Sequence, residues 1–404
     1  MEITLTLEQK AALDSCLSYL GKGQNCLLKG SAGTGKTTLV KFIVDAFLEA
    51  GKMVAISAPT HKAVSVLRSK VEDDPDYIKF GTVHSVMRLK MERDLETGEQ
   101  YFIQRNPDEN PLKHFSLLIV DEASMLNSEV YTILACNSTP ILFVGDHKQL
   151  NPVNETHSVV FEKVNNIVSL ETVMRQASGN AILDVAYDTS LLDKRVDLVT
   201  NDIGVYHTNS EPEIVTTIAQ NSNDYIYLAW TNKMVDRMNT AVRTYKYGEN
   251  VLDYVPGETI MFTQRFMQYS NLQRYTIQRS VTPQARAIFL RGQRHEIPCY
   301  MIDDHILVPT KYGIKVLDRV LAIAHQLCMQ RKYSWDDYDI LQESYARLSY
   351  TYALTVHKSQ GSEWPYVILN LANLERNTNK EECKRMVYTA ITRARKRLII
   401  YGRT

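Results

Sequence analysis

NCLLKGSAGTGKTTLVKF, residues 25 to 42, decides how the rest of the chain is read. Gly30, Gly35, Lys36 and Thr37 fall on the spacing G-x-x-x-x-G-K-[ST], after a short apolar run and before apolar residues at helical spacing. A strand feeding a glycine loop and then a helix lets backbone N–H groups converge on phosphate oxygens, helped by the helix dipole. Gly30, Gly33 and Gly35, with Thr34 and Thr38 beside them, form that cradle, Lys36 reaches the β- and γ-phosphates, and Thr37 is a Mg²⁺ ligand.

Such a loop needs an acidic partner on a neighbouring strand. LLIVDEASM, residues 117 to 125, ends an apolar run in Asp121-Glu122. Asp121 fits the carboxylate that holds the cation, and Glu122 is placed to take a proton from an attacking water. Together the two stretches predict hydrolysis of ATP with Mg²⁺.

Working outward, MVAISAP and PILFVGD read as further strands, and TTLVKFIVDAFLEAG and HKAVSVLRSKV as helices. The alternation returns at DYIYLAWTN, KMVDRMNTAVRTYKYG, PYVILNLAN, CKRMVYTAITRAR and KRLIIYG. Strand–helix alternation implies parallel sheets covered on both faces, so the fold class is α/β with two such domains. Two stretches interrupt it. RLKMERDLETGEQYFIQRN has polar–apolar arms around Thr97-Gly98, a hairpin turn. Residues 256–345 read as a β-rich subdomain followed by helix, with HILVP and GIKVL as short β-like runs.

The 404 residues carry 46 Lys plus Arg against 46 Asp plus Glu, so overall charge does not mark a polyanion partner. Local clusters do. Between Glu258 and Glu296 no acidic residue occurs, while Arg265, Arg274, Arg279, Arg286, Arg291 and Arg294 alternate with Phe262, Phe266, Tyr269, Tyr275 and Phe289. From Lys384 onward the chain again lacks Asp and Glu. Cations with interleaved aromatics suit a single nucleic-acid strand, and a solvated charged surface is the alternative. The 6 cysteines show no paired spacing, which points to reduced thiols rather than a disulfide framework or zinc site. No apolar run reaches membrane-span length and the N-terminus lacks signal-peptide character, so a cytoplasmic, membrane-free protein is expected.

SAPTHKAV (57–64), GTVHSVM (81–87), FVGDHKQLNPV (143–153), VMRQ (173–176), TVHKSQGSEW (355–364) and VYTAITRARKRL (387–398) complete the set. In this order they resemble the motif series of superfamily 1 helicases, specifically the 1B group, its RecD-like branch and the compact Dda helicases of bacteriophages. The resemblance implies two RecA-like parallel-sheet domains. The first is 1–85 with 111–170, carrying a pin hairpin at 86–110. The second is 171–255 with 346–404, carrying an insert at 256–345 that is SH3-like or β-rich with a helical extension.

It also implies roles. Gln9 reads the adenine, Gln149 senses the γ-phosphate, Gly361 faces the ATP cleft, and Arg175 and Arg393 reach the γ-phosphate from the second domain. Pro59, Thr60, His61, Lys62, Thr82 and His84 grip the DNA strand from the first domain. Thr231, Asn232, His357, Lys358 and Ser359 do so from the second. Tyr101 or Phe102 on the pin presses on the last base pair, and Trp364 stacks on a base or packs beneath the next strand. The implied activity is 5′-to-3′ translocation on single-stranded DNA and unwinding of forked DNA by a monomer, with a single-strand-binding protein or replisome component as further partner. A nucleotide-dependent strand-binding switch, or a RecD-like subunit of a larger complex, is the alternative.

Overall fold

The computed structural model describes residues 4–402 apart from 72–73, 95–99, 105–110, 153–154, 175–179, 195–196, 201–202, 250, 265 and 270. The hairpin turn at Thr97-Gly98, Arg175 and Arg265 therefore lie outside the described residues.

In the first domain a six-stranded sheet runs in the order Ile78–Thr82, Val54–Ala58, Leu117–Val120, Ile141–Gly145, Cys26–Gly30, Ile167–Leu170, with every pairing parallel. Its central strands are apolar throughout because both faces are covered. Leu28, Ile56, Ile119 and Leu142 join one core with the helices Leu7–Gly21, Lys36–Glu49 and His61–Arg68. Leu27, Ala55, Leu118 and Phe143 join a second core on the opposite face.

The second domain repeats the plan. Its sheet runs Ala353–Thr355, Tyr225–Ala229, Trp364–Asn370, Ala394–Tyr401, Ile203–Thr208, Leu198–Thr200, with the last strand antiparallel at the edge. Ile226, Leu228, Val367 and Leu369 face one core, and Tyr225, Tyr227 and Ile368 the other. Trp364 is 7% exposed and packs in the first of these cores. These are two RecA-like domains of the α/β class.

The first insert is the antiparallel hairpin Leu89–Arg93 with Gln100–Gln104. The second holds the sheets Arg274–Thr276, Thr259–Phe262, Leu348–Tyr350 and Val281–Leu290, Gln293–Ile302, Ile306–Pro309, with helices Lys311–Met329 and Trp335–Glu343. HILVP is a strand as expected, but GIKVL lies inside the helix Lys311–Met329. Thr310 caps that helix by accepting from the Gly313 N–H, and Leu317, Val320, Ala324 and Leu327 continue one buried stripe. The arginine-interleaved aromatics also turn inward. Phe262, Phe266 and Tyr269 are buried and stacked, with ring centroids of Phe262 and Tyr269 4.4 Å apart. They are core, while Phe289 is the large exposed ring at 67%.

The two inserts meet. The Arg93 guanidinium of the hairpin lies 4.4 Å from the Trp335 ring and donates to Asp339 at 2.6 Å. Among the described residues no helix is long and apolar enough to cross a membrane.

Candidate nucleotide site and strand groove

The phosphate loop follows strand Cys26–Gly30, and Gly35 caps helix Lys36–Glu49 at φ 86°, in the left-handed region that suits glycine. A Cβ at Gly35 would stand 2.4 Å from Gln9 Nε2. Gln9 is buried beneath the loop. It donates to the Thr34 carbonyl at 3.3 Å and accepts from the Thr6 N–H as part of a capping box. Its amide thus braces the loop, a contact different from the adenine reading that the resemblance implies. Lys36 Nζ donates to the carbonyls of Gly30 and Ser31 at 2.7 and 2.9 Å, so its ammonium lies within the cradle. Thr37 and Thr38 sit half-buried at the helix start.

Asp121 and Glu122 end the strand Leu117–Val120, one strand away from the phosphate-loop strand in the sheet order. Glu122 adopts φ 52°, uncommon for a residue with a Cβ and a place where backbone strain gathers at functional sites. Burial, then the adjacent Asp121 charge, push the Glu122 carboxyl up to about 7 against the pull of Arg393 and Lys36. Burial likewise raises Asp121. Lys36 of the first domain and Arg393 of the second therefore both act on this one carboxylate. Arg393 is 5% exposed and held by the Thr389 carbonyl at 3.0 Å and the Ser362 carbonyl at 3.3 Å. Gln149, whose carbonyl accepts from Arg385 of the second domain, has a buried Oε1 with no hydrogen-bond partner among the described residues; Ser124 Oγ is in the same condition. Buried acceptors of this kind call for a bound donor or water.

Sequence reasoning missed the residues that join the domains here. Tyr388, five positions before Arg393 in the VYTAITRAR string, accepts from the Ala32 N–H and donates to Asp146. Arg385 donates to the carbonyls of His147 and Gln149. The position of Tyr388 in the same short motif as Arg393, with Arg385 just before it, was the available signal.

A second junction carries the strand-binding candidates. Thr60, Thr82, Thr231 and Thr355 stand at the ends of strands, and each caps the helical turn that follows, accepting from Ala63, Ser85, Met234 and Lys358 N–H. The first two belong to one domain and the last two to the other. Gly361, at φ 69°, lets the loops meet: a Cβ there would stand 3.1 Å from Thr60 Oγ1. A groove of about 650 Å³ opens at this seam, lined by Thr60, His61, Lys62, Arg274, Lys358 and Trp364 among others. Pro59, next to Thr60 in sequence, is half-buried, and His61, Lys62, Asn232 and Lys358 are exposed. His357 is half-buried with Nε2 3.6 Å from Glu382, and burial holds its imidazole below the usual range despite that carboxylate.

Two candidates are turned away from solvent. Ser359 is 0% exposed and its hydroxyl donates to the Val356 carbonyl at 2.7 Å, so it closes a helical turn rather than offering a donor. Phe102 packs on His84 with centroids 4.5 Å apart, its N–H donating to Glu129, while Tyr101 on the other face of the strand is 41% exposed. Burial also lowers His84.

A family model described as an AAA domain matches residues 4–198, and one described as a UvrD-like helicase C-terminal domain matches residues 350–401. The ATP-dependent DNA helicase dda of Enterobacteria phage T4 is 29% identical, over 72% of this chain and 66% of the relative. The uncharacterized protein R530 of Acanthamoeba polyphaga mimivirus is 24% identical, over 97% of this chain and 98% of its own. The ATP-dependent RecD2 DNA helicase of Deinococcus radiodurans is 25% identical over 98% of this chain, which spans 49% of that relative. Among solved structures, Pif1 helicase at forked double-stranded DNA superposes with TM-score 0.54 at 16% identity, covering 98% of this chain and 92% of that one. Bacteroides Pif1 with ADP-AlF3 and single-stranded DNA gives 0.51 at 16%, over the same shares. Both likenesses concern the fold. With a phosphate loop and acid pair on one domain, an arginine-bearing helicase C-terminal match on the other, and relatives aligned across nearly the whole chain, this protein is similar to the superfamily 1B helicases of the Dda and RecD branches.

Proposed function

We propose that this ATP-dependent DNA helicase translocates 5′ to 3′ on single-stranded DNA and opens forked duplexes. One observation carries the reading: the helix of the second domain that leads to Arg393 hydrogen-bonds to the phosphate loop at Ala32 and to the Gln149 carbonyl, so that Lys36 and Arg393, from different domains, both lie near Glu122. A γ-phosphate entering there meets both domains at once, so its presence favours closure and its loss releases it. Glu122, raised to about 7, is suited to accept a proton from water, and Gln149 offers the unpaired Oε1 that would orient it. Arg393 stabilises charge that develops on the transferred phosphoryl group.

The residues fit Mg²⁺. Thr37 and Asp121 are hard oxygen donors, and two adjacent buried carboxylates, both raised by burial, are what a cation's charge would offset. When bound, the cation neutralises charge on the β- and γ-phosphates. Strand contacts on both domains, at Thr60 to Lys62 and at Thr231, Asn232, His357 and Lys358, then change their separation as the crevice opens and closes. Tyr101 is the exposed ring on the hairpin that would meet the duplex.

The decisive test is strand displacement with duplexes bearing a 5′ or a 3′ single-stranded tail. Opening of the 5′-tailed substrate alone supports the proposal, and opening of neither supports a strand-binding switch. Replacing His357 and Lys358 together by alanine should weaken binding to an oligonucleotide about tenfold and flatten its salt dependence, with ATP binding in the absence of DNA retained. Fluorescence anisotropy at two salt concentrations measures it.

A further inference from the structure

Ala32, in the middle of the phosphate loop, is held on both sides of its backbone by the second domain. Its N–H donates to the Tyr388 hydroxyl at 2.8 Å, and its carbonyl accepts from the Tyr187 hydroxyl. Tyr388 passes the contact on, donating to Asp146 Oδ2 at 2.7 Å beyond the strand Ile141–Gly145. The adjoining segment is tied down as well. Arg385 donates to the His147 and Gln149 carbonyls at 2.6 and 2.9 Å, and the Leu150 N–H donates to Thr389 Oγ1 at 3.2 Å.

Tyr388, Arg385 and Thr389 lie on helix Lys380–Ile391, and Tyr187 ends helix Ala181–Tyr187, so each of these bonds crosses from one domain to the other. The Lys148 ammonium lies 4.7 Å from the Tyr187 ring and 6.0 Å from the Tyr388 ring, bridging the pair. Burial and the Asp146 carboxylate push the Tyr388 hydroxyl above the ordinary phenol range. It therefore keeps its proton, the form that can accept from an amide and donate to a carboxylate at once. Asp146 in turn raises Glu122 through space, which brings the contact to the acid pair.

We propose that Tyr388 and Tyr187 are positioning residues: a clasp on Ala32 by which the second domain sets the conformation of the phosphate loop and of the Asp146–Gln149 segment. Separation of the domains has to break both tyrosine bonds, so the loop and the γ-phosphate sensor are released together. Strand binding to the second domain is thereby felt at the phosphates. The inference rests on the two-domain motor reading.

The test measures affinity for a non-hydrolysable ATP analogue with and without saturating oligo-dT. In the wild type the two affinities should differ by about fivefold or more, and in Tyr388→Phe the ratio should fall to about one. Tyr187→Phe should also lower it. Phenylalanine keeps the ring and its packing, and a merely structural loss would weaken both affinities alike and leave the ratio intact. A wild-type ratio retained in Tyr388→Phe overturns the clasp alone. A wild type with no coupling overturns the motor reading, and the clasp with it.

Discussion

Lys36→Ala is expected to reduce ATP turnover by roughly a thousandfold or more while leaving oligonucleotide binding within about twofold of wild type. The ammonium lies inside the cradle on the Gly30 and Ser31 carbonyls, and nothing else in the loop carries positive charge. Without it the terminal phosphate loses the only side-chain cation of the loop, and the remaining positive charge would leave the transition state under-stabilised. Arg393→Ala should produce a comparable collapse for the mirror reason. Its guanidinium is buried at 5% exposure, held by the Thr389 and Ser362 carbonyls, and lies close enough to Glu122 to act on that carboxylate. Steady-state phosphate release with saturating DNA checks both. Wild-type turnover in Lys36→Ala would mean that the catalytic loop is elsewhere.

The largest stability effect is expected at Glu258. Its carboxylate is 0% exposed and accepts from Arg243 Nε at 2.9 Å, with Tyr352 donating at 3.4 Å. Arg243, at 8% exposure, also donates to the Leu252 carbonyl and lies 5.0 Å from the Tyr350 ring. This pair ties helix Asn232–Tyr247 of the second domain to the root of its insert. Burial pushes the Glu258 carboxyl up even against the guanidinium's pull, a sign of how dry the site is. Glu258→Ala leaves Arg243 charged and unpaired there, at a cost of about 3–5 kcal/mol. Urea denaturation followed by tyrosine fluorescence should show the midpoint falling accordingly, and Glu258→Gln, which keeps an acceptor, should lose less. A loss below about 1 kcal/mol in the alanine variant would show that the ion pair is replaceable by solvent.

Much of the nucleotide site was legible because its chemistry demands neighbours in sequence. Gly30 to Thr38 must be contiguous for backbone amides to converge, and Asp121-Glu122 must end one strand. What could not be read is what folding brings together. Ala32, Tyr187 and Tyr388 are widely spaced along the chain and meet only once two domains dock. The arginine-rich stretch was open to misreading for a different reason: composition does not say which way a ring faces, and Phe262, Phe266 and Tyr269 face inward. GIKVL is too short for its period to separate strand from helix. Ser359 shows the same limit at one residue, since a serine after a histidine and lysine can donate outward or close its own turn, and here it does the latter.

The four threonines that end strands in the two sheets have a wider consequence. Each lobe carries a matched pair of hydroxyls that start helical turns, and under the proposed translocation the two half-buried ones, Thr60 and Thr231, would be its footholds. A polymer with one anion per link, displaced by a single link, finds an equivalent fit, so its sliding energy repeats with the period of the polymer itself. Travel along such a track needs no change in grip strength from one station to the next, only a fuel that decides which foot is lifted.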